Sequence, residues 1–167
     1  CTRAPFELQS KLFLQRNGNP DIRYVSTLPD HPVPLSCDRR QVSQVLTNIL
    51  KNSAEAIEGR EVAAGETLPP GEITLTLLDD DATVRIVVED NGKGLPVEGR
   101  ERLTEPYMTT RSKGTGLGLA IVKKIMEDHG GLLTLEDREG GGARISLVFR
   151  RDAKEIASVP RQATAAQ

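Results

Sequence analysis

The most regular hydrophobic pattern lies between residues 38 and 57. Val42, Val45, Leu46, Ile49, Leu50, Ser53 and Ile57 recur at the helical period and share one face. Asp38 stands where an N-cap belongs, so a long helix is expected from there to about Ile57. Its opposite stripe holds Gln41, Gln44, Asn48, Lys51, Asn52 and Glu55, with Asn48 and Asn52 one turn apart and Asn52 at the border of the apolar face. Upstream, residues 6–15 read as a short amphipathic helix broken by Asn17-Gly18-Asn19-Pro20. Alternation predicts a strand over 22–28, and residues 33–37 suggest a second, short one. After a Gly/Pro/Glu-rich connection at 59–71, the runs 72–78 and 83–89 alternate as a hairpin, and 132–136 and 143–149 form another around the glycines near 140. An apolar helix begins near Leu117 and ends at His129-Gly130-Gly131, a glycine C-cap preceded by a histidine whose cationic form would suit the helix dipole. Residues 151–167 have no period and read as a disordered tail or linker, leaving 1–150 as the folded domain. Together the elements predict an α+β two-layer sandwich, with helices on one face of a sheet of about five strands.

Composition narrows the function without naming it. A chain of 167 residues with 37% hydrophobic and 28% charged positions forms one ordinary globular domain. A net charge of −2 gives no reason to expect nucleic acid or an anionic membrane as partner, and three Phe, two Tyr and no Trp offer no base-stacking platform. Cys1 and Cys37 are too few for a disulfide framework or a metal cluster, which fits a reducing cytosol. No apolar run reaches the roughly 18–20 residues of a membrane span, and no signal peptide opens the chain. The start at Cys1 without Met suggests a piece of something larger, whose upstream membrane segment would not be visible.

The chemistry concentrates between Glu89 and Gly131. Asp90 ends a buried-type strand, where a carboxylate needs donors. The exocyclic amine of adenine is such a donor, whereas the carbonyl of guanine would be repelled. Gly92 and Gly94 let the backbone approach a flat ring, although Asp-Asn-Gly alone equally describes a plain turn. A second glycine cluster, Gly114-Thr115-Gly116-Leu117-Gly118, opens a helix whose free N–H groups suit phosphates, though a flexible loop before an ordinary helix reads the same. Arg111 and Lys113 precede it and could reach phosphates or simply be solvated. Asparagine is a poor helix-interior residue, so Asn48 and Asn52 hint at a use, and their amide oxygens suit Mg²⁺.

Taken in chain order, these pieces resemble the catalytic and ATP-binding domain of bacterial sensor histidine kinases, in the GHKL superfamily. Asn48-Ile49-Leu50-Lys51-Asn52 is similar to the N box (about 44–56) and Asp90-Asn91-Gly92-Lys93-Gly94 to the G1 box. Glu105-Pro106-Tyr107-Met108-Thr109-Thr110 is similar to the F box, and residues 114–118 to the G2 box. The wording from Thr104 to Gly131 is especially similar to NtrY-like nitrogen-regulation sensor kinases. The resemblance implies the Bergerat fold with a mixed sheet, ATP and Mg²⁺ as cofactors, and transfer of the γ-phosphoryl to a histidine in a separate helical dimerisation domain. It implies that Asn52 holds Mg²⁺ and that Asp90 accepts from adenine N6. It assigns nucleotide contacts to Asn48, Gly92, Gly94, Leu95, Tyr107, Thr109, Thr110, Arg111, Lys113, Gly114, Thr115, Gly116, Leu117, Gly118 and Leu119.

By the same resemblance residues 95–113 are the ATP lid, with Tyr107 near the purine or anchoring the lid. Asn48 and Lys51 are the candidates for assisting transfer. Where ATPase relatives carry a water-activating glutamate, this chain has Asn48, which cannot take a proton and so favours transfer over hydrolysis. Neither His31 nor His129 has the context of the phospho-acceptor, so the chain is expected to bind ATP without phosphorylating itself. The implied partners are the acceptor domain and a cognate response regulator, and the implied setting is the cytoplasmic part of a membrane-anchored kinase. The alternatives are a GHKL ATPase, an anti-sigma serine kinase and a non-catalytic ATP-sensing module.

Overall fold

The computed structural model describes residues 19–31, 33–107 and 116–151. The expected helix at 6–15, residues 108–115 between the two glycine turns, and the tail after Arg151 lie outside these residues. Within them the order is β1 (Ile22–Thr27), α1 (Arg39–Glu58), β2 (Gly71–Asp79), β3 (Thr83–Asp90), a 3₁₀ turn (Arg100–Arg102), α2 (Gly118–Asp128), β4 (Leu132–Asp137) and β5 (Ala143–Arg150). One five-stranded sheet has the order β1-β2-β3-β5-β4. β1 runs parallel to β2, and every other pair is antiparallel. The parallel pair follows from the connection, because α1 carries the chain back along the sheet before β2 starts.

Alternation sets the two faces. Ile73, Leu75 and Leu77 of β2, Val84, Ile86 and Val88 of β3, and Ile145, Leu147 and Phe149 of β5 are all buried and join one core with both helices. α1 contributes Val42, Val45, Leu46, Ile49 and Leu50, and α2 contributes Val122, Ile125 and Met126. Each such side chain contributes about 1.5–3 kcal/mol when taken from water, so this layer is what holds the sandwich shut. The expected two-layer architecture is therefore found. The expected strand at 33–37 is not: the chain there is irregular, and Val33 and Leu35 plug the core as single side chains under the turn into α1.

The helix ends follow their sequence signals. The Asp38 carboxylate accepts from the Arg40 and Gln41 amides at 2.8 and 3.2 Å, as an N-cap should. α2 closes with Gly130 at φ +63°, the Gly131 amide donating to the Met126 carbonyl and that of Gly130 to Glu127. That is the left-handed stop expected of two glycines. His129 departs from expectation. Its Nε2 accepts from the Asp38 amide at 3.1 Å, while Nδ1 faces the Ile125 carbonyl at 2.8 Å. A backbone N–H can only donate, so Nε2 is the acceptor in the first bond and Nδ1 the donor in the second. The histidine ties the end of α2 to the start of α1.

Candidate functional site

At the opposite end of α1 the two glycine turns and the asparagine pair come together. β3 ends in Asp90, which is 2% exposed. Its Oδ1 accepts from the Gly92 amide at 2.9 Å, turning the chain sharply away from the sheet. Burial pushes the Asp90 carboxyl above the ordinary carboxylate range, and the amides of Gly92 and Ala143, the Ser53 hydroxyl and the charge of Arg138 pull the other way. A group in that balance has spent its desolvation and holds too few donors, which suits a carboxylate that receives a donor from a ligand.

Two glycines in this region are demanded by space. A Cβ at Gly92 would lie 2.7 Å from Ala56, so only glycine lets the turn lie flat on α1, where the Lys93 amide donates to the Ala56 carbonyl at 3.0 Å. Gly142 has φ +104°, and a Cβ there would fall on the Asp90 carbonyl oxygen. Asn91 is spent on the scaffold. It accepts from the Glu72 amide at 2.7 Å and donates to the Pro70 carbonyl at 2.9 Å, fixing the turn to the start of β2.

α1 links this carboxylate to the second glycine turn. The amide nitrogen of Asn52 lies 3.5 Å, and its oxygen 3.7 Å, from where a Cβ of Gly118 would be. One turn earlier, the Asn48 amide nitrogen is 3.5 Å from the Gly118 carbonyl. Gly118 is the first residue of α2, whose N-cap Leu117 supplies no side-chain cap. The first amides of α2 are therefore left for an anion, at the positive end of the helix. Both asparagines are half-buried, facing this start. Sequence reading missed Ser53 as a site residue, because it sits on the apolar face. Its wholly buried hydroxyl lies beside the Asp90 carboxyl and favours the charged form. The signal was available: a hydroxyl in a row of aliphatic side chains, directly after Asn52.

The other expected residues are placed as follows. Gly94, at φ +79°, abuts Gly142, and Gly116, at φ +68°, precedes the helix start. Leu95, Leu117 and Leu119 are half-buried nearby in sequence. Lys51 is 68% exposed and 4.0 Å from Glu55, on the watery flank of α1 rather than with the asparagines. Tyr107 is 77% exposed, with a left-handed φ of 65°. What holds the root of that segment is Arg100, bound to Asp137. Thr109, Thr110, Arg111, Lys113, Gly114 and Thr115 lie outside the described residues. Among the described residues no three His, Cys, Asp or Glu side chains cluster as a metal site.

A family model decides what this arrangement is. Residues 37–153 match the histidine kinase-, DNA gyrase B- and HSP90-like ATPase family. The chain belongs to that family. As members of it, the relatives are sensor kinases. The chain is 46% identical to the nitrogen regulation protein NtrY of Azorhizobium caulinodans, over 87% of this chain and 18% of that protein. It is 47% identical to a putative sensor histidine kinase NtrY-like of Rickettsia conorii, over 72% of this chain and 18% of that one. The chain thus spans under a fifth of the length of these relatives. Among solved structures, the nucleotide-free catalytic domain of histidine kinase ThkA superposes with a TM-score of 0.73 at 31% identity, covering 88% of this chain and 92% of that one. The mycobacterial sensor histidine kinase MprB superposes with a TM-score of 0.72 at 25% identity, covering 90% and 95%. The mixed five-stranded sheet under two helices is the fold of histidine kinase catalytic domains, and the family implies ATP as ligand.

Proposed function

We propose that this chain is the ATP-binding part of an NtrY-like sensor histidine kinase, holding Mg·ATP for γ-phosphoryl transfer to a histidine on a separate helical domain. One observation carries the reading: consecutive residues of α1 face two different glycine turns, Asn52 toward the uncapped start of α2 and Ser53 toward the Asp90 carboxyl. A single purine triphosphate would span those points, with its adenine amine on Asp90 and its phosphates on the α2 amides. The donor set suits Mg²⁺, which takes one or two protein oxygens alongside phosphates and water. Asn52, with Asn48 beside it, would supply the neutral amide oxygen. The ion would neutralise charge developing on the phosphates.

What the protein contributes is position. Asp90 selects adenine over guanine through an acceptor that guanine cannot satisfy. Asn48, unlike a carboxylate, cannot draw a proton from water, so hydrolysis is not promoted and transfer to a partner nucleophile is favoured. Among the described residues His31 is held by Asp79 and Asp30 and His129 by Asp38 and Ile125, so neither is presented as an acceptor. The partners that follow are the acceptor domain and, after it, a response regulator. The nitrogen-regulation role named for the Azorhizobium relative and the cytoplasmic side of a membrane-anchored kinase go with this reading. No helix among the described residues is long and apolar enough to cross a membrane.

Thermal shift with ATP, ADP and GTP, each with and without Mg²⁺, tests the site. Stabilisation by Mg·ATP and not by Mg·GTP is expected, and equal stabilisation by both would remove Asp90 from the purine pocket. Mixing the chain with the acceptor helical hairpin and labelled ATP tests the activity. Phosphohistidine is expected only when both are present. Steady phosphate release without the hairpin would instead support an ATPase, and binding without transfer a sensing module.

A further inference from the structure

The sheet carries a charged pair just beyond Asp90 that belongs neither to the glycine turns nor to the asparagines. Asp90 stands in one row with Ile73 of β2, Ala143 of β5 and Asp137 of β4. In the next row the Asn91 amide donates to the Glu72 carbonyl at 3.2 Å, and the Arg138 amide donates to the Gly142 carbonyl at 3.1 Å. Gly142 packs directly on the Asp90 carbonyl. Glu72, Asn91, Gly142 and Arg138 therefore follow one another across the sheet, with the end of β3 in the middle. The side chains at the two ends of this row meet. Nη2 of Arg138 lies 3.7 Å from Oε1 of Glu72, with only 27% and 33% of the two side chains exposed. Strands are about 4.8 Å apart, so the arginine spans β5 and β3 to make this contact. The other oxygen of Glu72 is 3.9 Å from Nη1 of Arg23, which holds the carboxylate from its far side.

This strap lies at the purine end of the site. Asp90 is faced from α1 by the Ser53 hydroxyl, from its own turn by the Gly92 amide and from β5 by the Ala143 amide. From β2 its neighbour is the apolar Ile73. Lys93, two residues beyond the glycine turn's start at Asn91, runs its stem along the end of α1, with Cδ 3.6 Å from where a Cβ of Gly59 would be. The charge that acts on the Asp90 carboxyl is that of Arg138, and it favours the ionised form against burial. It does so through space, across a partly buried gap where water screens less than in bulk. Mooring on Glu72 matters for this reason, because a loose arginine would carry its charge out into solvent. A protonated Asp90 would present an O–H where the adenine amine needs an acceptor.

We propose that Arg138 is a positioning residue for purine recognition: moored on Glu72 across the end of β3, its guanidinium holds the Asp90 carboxyl in the form that accepts from the adenine amine. The proposal rests on the nucleotide reading of the site.

The test uses the whole chain with Arg138→Gln and Arg138→Lys, at a position outside the core. The Asp90 carboxyl carbon is followed by carbon-13 NMR against pH, with Asp90→Asn identifying its signal, and Mg·ATP affinity is measured by calorimetry from pH 5.5 to 8. Removing the charge is expected to raise the carboxyl midpoint by about half a pH unit, so that affinity begins to fall at a higher pH on acidification. Affinity at pH 8 should stay within about twofold of the original chain, and below the midpoint it should be about threefold weaker. Lysine should restore both readings. Titration of the phosphates is common to every chain and cancels in the comparison. An unmoved midpoint, a moved midpoint with unchanged affinity, a loss equal at every pH, or lysine as weak as glutamine would each overturn the proposal. Failure of the unaltered chain to bind Mg·ATP, with the midpoint still moving, would instead overturn the nucleotide reading itself.

Discussion

The two ends of the sandwich both bury polar groups and use them in opposite ways. At the end where β2 finishes, Asp79 is 5% exposed and both of its oxygens are taken, one by Arg151 and one by His31 Nε2 at 2.7 Å. His31 also meets Asp30 at 3.3 Å, and His129 has both ring nitrogens engaged with backbone. Among the described residues, Nε and Nη1 of Arg151 are buried there without a partner. At the end where β3 finishes, burial raises the Asp90 carboxyl above the ordinary carboxylate range despite the Ser53 hydroxyl beside it, and the N-cap of α2 supplies no side-chain bond. One end pairs its buried carboxylate with Arg151 and His31 and stabilises the fold. The other, among the described residues, leaves its buried carboxylate without an ion pair, which costs stability and offers recognition. Counting buried polar groups would not separate the two. Asking whether their partners are already present does.

That contrast can be broken by mutation. The largest effect is expected at the closed end. Asp79→Ala leaves the guanidinium of Arg151 buried without a counter-charge and should lower unfolding free energy by about 3–5 kcal/mol in urea melts, with ATP affinity per folded molecule unchanged. A loss of ATP affinity equal to the loss of stability would erase the distinction between the ends.

Asp90→Asn should do the reverse. It removes a charged acceptor, weakening ATP by about 1–3 kcal/mol in calorimetry. Because burial raises the folded-state value of Asp90, its ionised form opposes folding at neutral pH, so the ligand-free variant should melt no lower than the original chain. A lower melting point would show that Asp90 is a structural acid after all.

His129→Phe keeps the ring volume against Phe149, whose centroid is 6.2 Å away, but loses the bonds to Asp38 and Ile125. It should cost about 1–2 kcal/mol of stability. Mg·ATP affinity is expected to hold, since the ring lies at the far ends of both helices.

The smallest effect concerns His31. Its hydrogen bonds to Asp79 and then Asp30 raise it above its ordinary value of 6.5. Its contribution is therefore complete below 6.5 and fades as pH rises through the higher folded-state value. With about a third of the ring in water, under about 1 kcal/mol is at stake. Unfolding free energy followed from pH 6 to 9 should fall slightly in the original chain and stay flat in His31→Gln, and equal slopes in both would remove His31 from the clasp.

The amino-acid sequence by itself determined the long helix, both hairpins and both helix stops. Those features are periodic or local: Val42 to Ile57 repeat every turn, Asp38 caps within three residues, and Gly130 stops α2 by its own backbone freedom. Only the tertiary structure decided which strands are neighbours, that β1 is parallel to β2, and that Val33 and Leu35 plug the core from an irregular stretch. It alone showed Ser53 beside Asp90, Arg100 gripped by Asp137 and His129 accepting from Asp38, each a contact between residues far apart in the chain. Such contacts leave no period behind them. They arise when hydrophobic burial, which is blind to direction, brings two elements together and hydrogen bonds, which are not, choose among whatever side chains then face each other.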